Sequence, residues 1–253
     1  MKPKSFRPAL FVFLMLSLLM SACGSSATPT ATSTPFPTNT STPTFTPTAT
    51  STPTRTPSPT ATPNIAATEL AARSDVMRMD VQGYVDAGYL ASSEGSYTEL
   101  PDFEQEWAQI GWYRWWPLDA TVGDHFVLSA HLKWSSAIKN PDPSGCGFAF
   151  GIAPDATPSI IFIDRTQLYF LDYAGRSSGR TKGSGRLSLP IPPEADFTIV
   201  VNGDTQTVLI NNEFAAQYAF GLSGRLGYSI LSGTNKDFGT RCEITNVRLW
   251  EIQ

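Results

Sequence analysis

Asp102, Glu104 and Glu106 stand at alternate positions in this 253-residue chain, and their spacing invites a chemical reading. An extended segment would set all three on one face, and paired carboxylates are the acid and base of glycoside hydrolysis. The same stretch also has a helical reading, because Phe103, Trp107 and Ile110 fall at helical spacing behind Pro101 with Asp102 as a cap, which scatters the acids. Acid and base roles need unlike environments, and three acids beside a proline offer none, so the segment reads as a solvated face. His125 and His131, on one strand, would stand roughly 20 Å apart at about 3.3 Å per residue, too far to share a metal ion. No G-x-S-x-G elbow, phosphate loop or H-E-x-x-H motif occurs. The expectation is a chain that is not an enzyme, with no catalytic residue, no metal and no cofactor.

Aromatic residues are in greater surplus: Trp107, Trp112, Tyr113, Trp115 and Trp116 crowd one short stretch. In a strand, Trp112, Arg114 and Trp116 face one way and Tyr113 and Trp115 the other. Both faces of a two-layer sandwich cannot be equally buried, so one set is open to solvent or lies beneath a helix or loop. An open aromatic surface is a platform for sugar rings, which makes Trp112, Tyr113, Trp115 and Trp116 the candidate ligand-binding residues. The formal net charge of −4 argues against a nucleic-acid partner, since phosphate-driven affinity needs a basic surface. Arg176, Arg180, Lys182 and Arg186 form a basic Gly/Ser-rich stretch that reads as a loop, solvated or touching an acidic glycan.

The elements that must hold these residues read as strands. From His125 to Trp134 the chain alternates, with Phe126, Leu128, Ala130, Leu132 and Trp134 on a core face and His125, Val127, Ser129, His131 and Lys133 on a wet one. Further strands are expected over Gly147 to Ile152, Ser159 to Asp164, Gln167 to Tyr173, Phe197 to Val201, Thr207 to Ile210, Arg225 to Leu231 and Cys242 to Ile252. Gly, Asn, Asp and Pro separate them, as in an antiparallel sandwich. Asn202-Gly203 is a strong hairpin signal and Asn211-Asn212 a weaker one. The sandwich is expected over 81–253, preceded by a short helix over 64–80 that Thr62 caps and Pro63 starts, at the domain edge or prolonging a stalk. Residues 25–63 are almost entirely Thr, Pro, Ser and Ala, a disordered linker reaching on the order of 100 Å if it holds a polyproline II conformation.

Ahead of that linker, Lys2, Lys4 and Arg7 precede an apolar run from Ala9 to Met20, and Ser21 and Ala22 lie just before Cys23. The segment resembles the lipobox of bacterial lipoproteins, with Met20 where Leu is usual. The run is roughly twelve residues, short of the about 20 that a spanning helix needs, so a lipid must anchor the chain. The resemblance implies a signal peptide over 1–22, a lipidated Cys23 opening the linker of 23–63, and a place on the extracytoplasmic surface of a bacterial membrane. Cys146 and Cys242 then remain as an even pair in an oxidising compartment, expected as a disulfide. Closing so long a loop is worth up to roughly 4–5 kcal/mol in the chain-entropy model.

The order Cys146-Gly147-Phe148-Ala149-Phe150, Leu168-Tyr169-Phe170-Leu171, Val200-Val201-Asn202-Gly203, Val208-Leu209-Ile210-Asn211-Asn212, Gly224-Arg225-Leu226-Gly227-Tyr228 and Ile244-Thr245-Asn246-Val247-Arg248-Leu249-Trp250 resembles the concanavalin A-like, laminin-G-like jelly roll. The resemblance implies an all-β antiparallel sandwich whose last strand returns beside an early one. The leading reading is a non-catalytic, lipid-anchored surface module that binds glycan or another extracytoplasmic ligand. Two other readings stay open: a sandwich glycoside hydrolase or lyase using Asp102, Glu104 or Glu106, and a structural or adhesive protein without a small ligand. Laminarinase-like enzymes of this class carry E-x-D-x-x-E on a strand, which Asp102-Phe103-Glu104-Gln105-Glu106 does not match.

Overall fold

The computed structural model describes residues 65–139, 144–172 and 180–253, and within the last stretch only the backbone of 180–185. Among these residues the order is α1 (Ile65–Asp86), β1 (Gly95–Glu99), β2 (Phe103–Trp107), β3 (Trp112–Val122), β4 (His125–Ser136), β5 (Gly145–Phe150), β6 (Ser159–Asp164), β7 (Gln167–Asp172), β8 (Arg180–Arg186), β9 (Glu194–Asn202), β10 (Thr205–Ile210), β11 (Glu213–Ala219), β12 (Gly224–Ser232) and β13 (Thr240–Ile252). One sheet runs β1-β13-β4-β9-β10-β11 with β2 also on β13, and the other runs β3-β12-β5-β6-β7-β8. All pairings between these strands are antiparallel, and the two sheets enclose one apolar core, so the chain folds as a jelly-roll sandwich.

The alternation in β4 places Phe126, Leu128, Ala130, Leu132 and Trp134 in that core. Its other face is wet only at the ends. Val127 is fully buried and Ser129 nearly so, because α1 lies on the outside of the seven-stranded sheet. Met77 and Val81 of the helix join Leu90, Val127, Val200, Leu209 and Trp250 in a second apolar cluster. Each large apolar side chain so buried contributes roughly 1.5–3 kcal/mol. The helix was expected over 64–80 at the domain edge or in a stalk; it continues to Asp86, and its second half docks on the sheet while residues 65–73 stand exposed.

β13 changes phase midway. Cys242 and Ile244 point into the core, but so do Val247 and Leu249. Between Thr245 and Arg248 the pairing with β4 slips, and Asn246 adopts a left-handed backbone with φ 54°. The added residue is a β-bulge, and it turns Arg248 outward where strict alternation would bury it. Without it Val247 and Leu249 would turn to the outer side of the sheet and leave the core.

Both asparagine turns close hairpins, the first of them one residue further on than Asn202-Gly203. Ile210 pairs with Glu213, and Asn211 and Asn212 both take positive φ (52° and 64°), the type I′ geometry. In the other hairpin Asn202 still pairs with Thr205, so the turn residues are Gly203, at φ 60°, and Asp204. Cys146 on β5 and Cys242 on β13 are joined with their Cα atoms 6.0 Å apart, tying one sheet to the other.

One open alternative is settled and one expectation is corrected. Residues 103–107 form no helix: they are β2, drawn to the open edge of β13 where Phe103 reaches the core. The basic stretch is no loop from Arg180 to Arg186, because β8 pairs with β7 there; Arg176 lies outside the described residues, as does Cys23 with the whole of 1–64.

Candidate functional site

The four aromatic candidates separate according to strand parity and position. Trp116 turns inward and packs edge to face on Phe103 at 5.2 Å between ring centroids. Trp112, at the start of β3, is 62% exposed, and its carbonyl accepts from the Trp107 indole N–H at 3.2 Å. Arg114 lies between them with its guanidinium 4.9 Å from the Trp107 ring and 5.2 Å from that of Trp116, closing the sandwich edge by cation–π contact. Tyr113 and Trp115 alone share a surface, the outer face of the six-stranded sheet.

That face is unusually apolar for a sheet side turned away from the core. Tyr113 and Trp115 pack with Ile152 and Tyr169 against Ala149, Ile160, Phe162, Leu171 and Leu231. Register explains the grouping: Trp115 pairs with Ser229, Ser229 with Gly147, Gly147 with Phe162 and Phe162 with Tyr169, one row across five strands. Gly147 leaves the middle of the row without a side chain, and a Cβ there would collide with Ile161 and Phe162. Over this gap Tyr113 meets Phe162 edge to face at 5.4 Å, and Phe162 stacks on Tyr169. The Ser229 hydroxyl in the same row is buried and has no hydrogen-bond partner among the described residues.

Asp164 fixes the far side of the face. Its Oδ1 accepts from the backbone N–H groups of Thr166 and Gln167, each at 2.7 Å, and from the Thr166 hydroxyl at 2.9 Å. Its Oδ2 accepts from the Tyr169 hydroxyl at 3.1 Å. The turn between β6 and β7 and the orientation of Tyr169 therefore depend on one buried carboxylate. Phe162, Tyr169 and Asp164 escaped the sequence reading because β6 and β7 are apolar on both sides; the pairing of two inward-looking strands was the available signal.

The acidic triplet is extended but divided. Glu106 accepts from the Arg241 Nε–H at 2.7 Å, Glu104 is exposed beside it, and Asp102 lies before the strand, accepting from the Asn246 backbone N–H at 3.0 Å. His125 Nδ1 lies 3.1 Å from Asn202 Oδ1, and His131 Nδ1 lies 2.9 Å from Asp196 Oδ1. Tyr228, beneath Phe103, donates to the Pro101 carbonyl, and burial pushes its phenol well above the ordinary value.

No protein-family model and no curated protein sequence matches this chain. Solved structures of similar shape include the fructosyltransferase of A. japonicus, with 18% identity over 63% of this chain and 26% of that one at a TM-score of 0.43. The carbohydrate binding module CBM66 of Bacillus subtilis has 10% identity over 60% of this chain and 94% of its own at a TM-score of 0.44. The galectin LEC-6 of Caenorhabditis elegans has 13% identity over 56% and 95% at a TM-score of 0.39. This chain spans about a quarter of the length of the fructosyltransferase. Enzymes stand among these structures, that fructosyltransferase and the Crh5 transglycosylase included, so the expectation of a chain that is not an enzyme is corrected. Missing sequence motifs do not by themselves remove catalysis from such a sandwich.

Proposed function

We propose that this chain is a glycan-binding sandwich held at a bacterial membrane surface by a lipid on Cys23, with the outer face of the six-stranded sheet as its ligand face. The observation that carries the reading is the half-buried pair Tyr113 and Trp115 on the side of β3 away from the core, backed by Phe162 and Tyr169. Flat rings over an apolar floor suit the C–H faces of sugars, which stack by dispersion. The lipobox-like segment ending at Cys23 and the Thr/Pro-rich tract after it support the anchor and the stalk.

A glycan array followed by titration of the best ligand, read by tryptophan fluorescence, tests the ligand face. Trp115→Ala should weaken binding at least about tenfold, as loss of an aromatic anchor does. Unchanged affinity in a folded Trp115→Ala variant rejects this face. For the anchor, Cys23→Ala should leave the membrane fraction, and its retention there after a high-salt wash rejects lipidation.

A further inference from the structure

On the opposite side of the molecule α1 parts from the seven-stranded sheet. Its second half is pinned by Met77 and Val81, whereas residues 65–73 are exposed, and between helix and sheet opens a cleft of about 500 Å³. That volume lies within the about 300–1,000 Å³ typical of small-molecule sites. Ser129, Thr198 and Arg248 line it from the sheet together with Asp196, which His131 Nδ1 meets at 2.9 Å; Asp80 lines it from the helix, and Ala72 and Val76 give an apolar flank.

Arg248 reaches this cleft only because of the Asn246 bulge, and it arrives under-satisfied. Its Nη2–H donates to the Ser129 hydroxyl at 3.2 Å, its Nη1 stands 3.8 Å from Asp80 Oδ2, and its Nε–H is buried with no partner among the described residues. An orphaned donor of this kind costs free energy unless an acceptor arrives. The Thr198 hydroxyl donates to Ser129 at 3.3 Å, so two linked hydroxyls lie beside the guanidinium. Arg73, the other cation at the cleft, is held by Glu99 at 2.9 Å and by Glu69 at 3.5 Å.

Charge decides the ligand class. A carboxylate or phosphate drawn to Arg248 would meet Asp80 and Asp196, and a cation drawn to those acids would meet Arg248. A hydroxyl group satisfies both, accepting from a guanidinium and donating to a carboxylate. We propose that the cleft beneath α1 is a second binding site, for a neutral polyhydroxylated ligand such as a sugar ring, with Arg248 and Asp80 gripping neighbouring hydroxyls and Val76 against the ring's C–H face. The proposal stands independently of the aromatic face.

Amide NMR titration of the full chain tests it, with glucose, galactose, N-acetylglucosamine and myo-inositol as probes, and sodium acetate and methylammonium chloride as charged controls. At least one of the four neutral probes should give saturable shifts at the amides of Ser129, His131, Thr198 and Arg248. Arg248→Lys, and separately Asp196→Ala at an exposed position, should each weaken that binding, the first by roughly tenfold or more. Shifts from acetate or methylammonium that exceed those of every neutral probe overturn the assignment. So does the absence of saturable shifts at these amides with all four probes, or wild-type affinity in both variants. The Trp115 indole N–H reports the other face in the same spectra, so failure at one site is distinguishable from failure at the other.

Discussion

Phe162 and Tyr169 lie ring on ring across β6 and β7, 4.5 Å between centroids and 3° between planes. A parallel stack on the outer side of a sheet stiffens that side before any ligand arrives, since neither ring can rotate without losing the other. Aromatic pairs contribute about 0.5–1.5 kcal/mol beyond their buried area, and the Tyr169 hydroxyl adds its bond to Asp164. Tyr169→Ala is expected to lower stability by roughly 2–3 kcal/mol and Tyr169→Phe by about 1 kcal/mol, read from urea denaturation midpoints. Equal losses in the two variants would mean that the hydroxyl, and not the stack, holds the face.

Asp164 should be the more sensitive position. Asp164→Ala strands two backbone N–H groups and a tyrosine hydroxyl at once, so a loss of about 3 kcal/mol or more is expected. Hydrogen exchange should localise the damage to the β6–β7 hairpin, and protection unchanged there would show that other groups carry the turn.

Trp115→Ala and Trp116→Ala should part company. Trp116 is half-buried against the core and packs on Phe103, so its truncation is expected to cost roughly 2–3 kcal/mol of stability. Trp115 faces outward, and its loss should fall chiefly on ligand affinity. Thermal melts of both proteins beside the titrations decide it; a larger melting shift for Trp115→Ala contradicts the division of faces.

Reduction, or a paired Cys146→Ser and Cys242→Ser change, should cost up to about 4–5 kcal/mol, because the bridge closes a loop across 96 positions and also ties the two sheets. Melting with and without reductant measures this, and coincident curves for fully reduced and oxidised protein would refute it.

Burial holds the Asp80 carboxyl above the ordinary carboxylate value, with Arg248 pulling it partly back. Because the folded value exceeds the unfolded one, the stability linked to Asp80 is fully present below the unfolded value and is lost as pH rises through the folded one. Relative to wild type, Asp80→Asn should therefore gain stability as pH climbs from about 4 to about 7. Denaturation at a series of pH values reads the difference, and a wild type that gains on the variant over that interval reverses the sign.

The sandwich was legible in the sequence where burial is one-sided, as in the alternation of Phe126 to Trp134, whereas the phase change between Ile244 and Val247 was not read within the single strand expected from Cys242 to Ile252. Alternation names two faces without naming what covers the second, so Val127 read as wet although α1 hides it. β11 escaped because Glu213, Gln217 and their neighbours leave it half-exposed, with no clear period. Of the ligand face, Tyr113 and Trp115 were visible as a crowd of rings, while their union with Phe162 and Tyr169 depends on register across β12 and β5, which no local window contains.

β13 lies between β1 and β4, and β2 rests on it as well. Three strands from the early part of the sandwich thus wait for a partner that ends at residue 252, with Gly95 meeting Ile252 itself. Such distant closures make folding slow, on the order of milliseconds to seconds, because chain entropy is lost before contacts repay it. Until residues 240–252 take their place, β1 and β2 have no partner in the sheet, so that edge of the sandwich is set only when the whole domain closes.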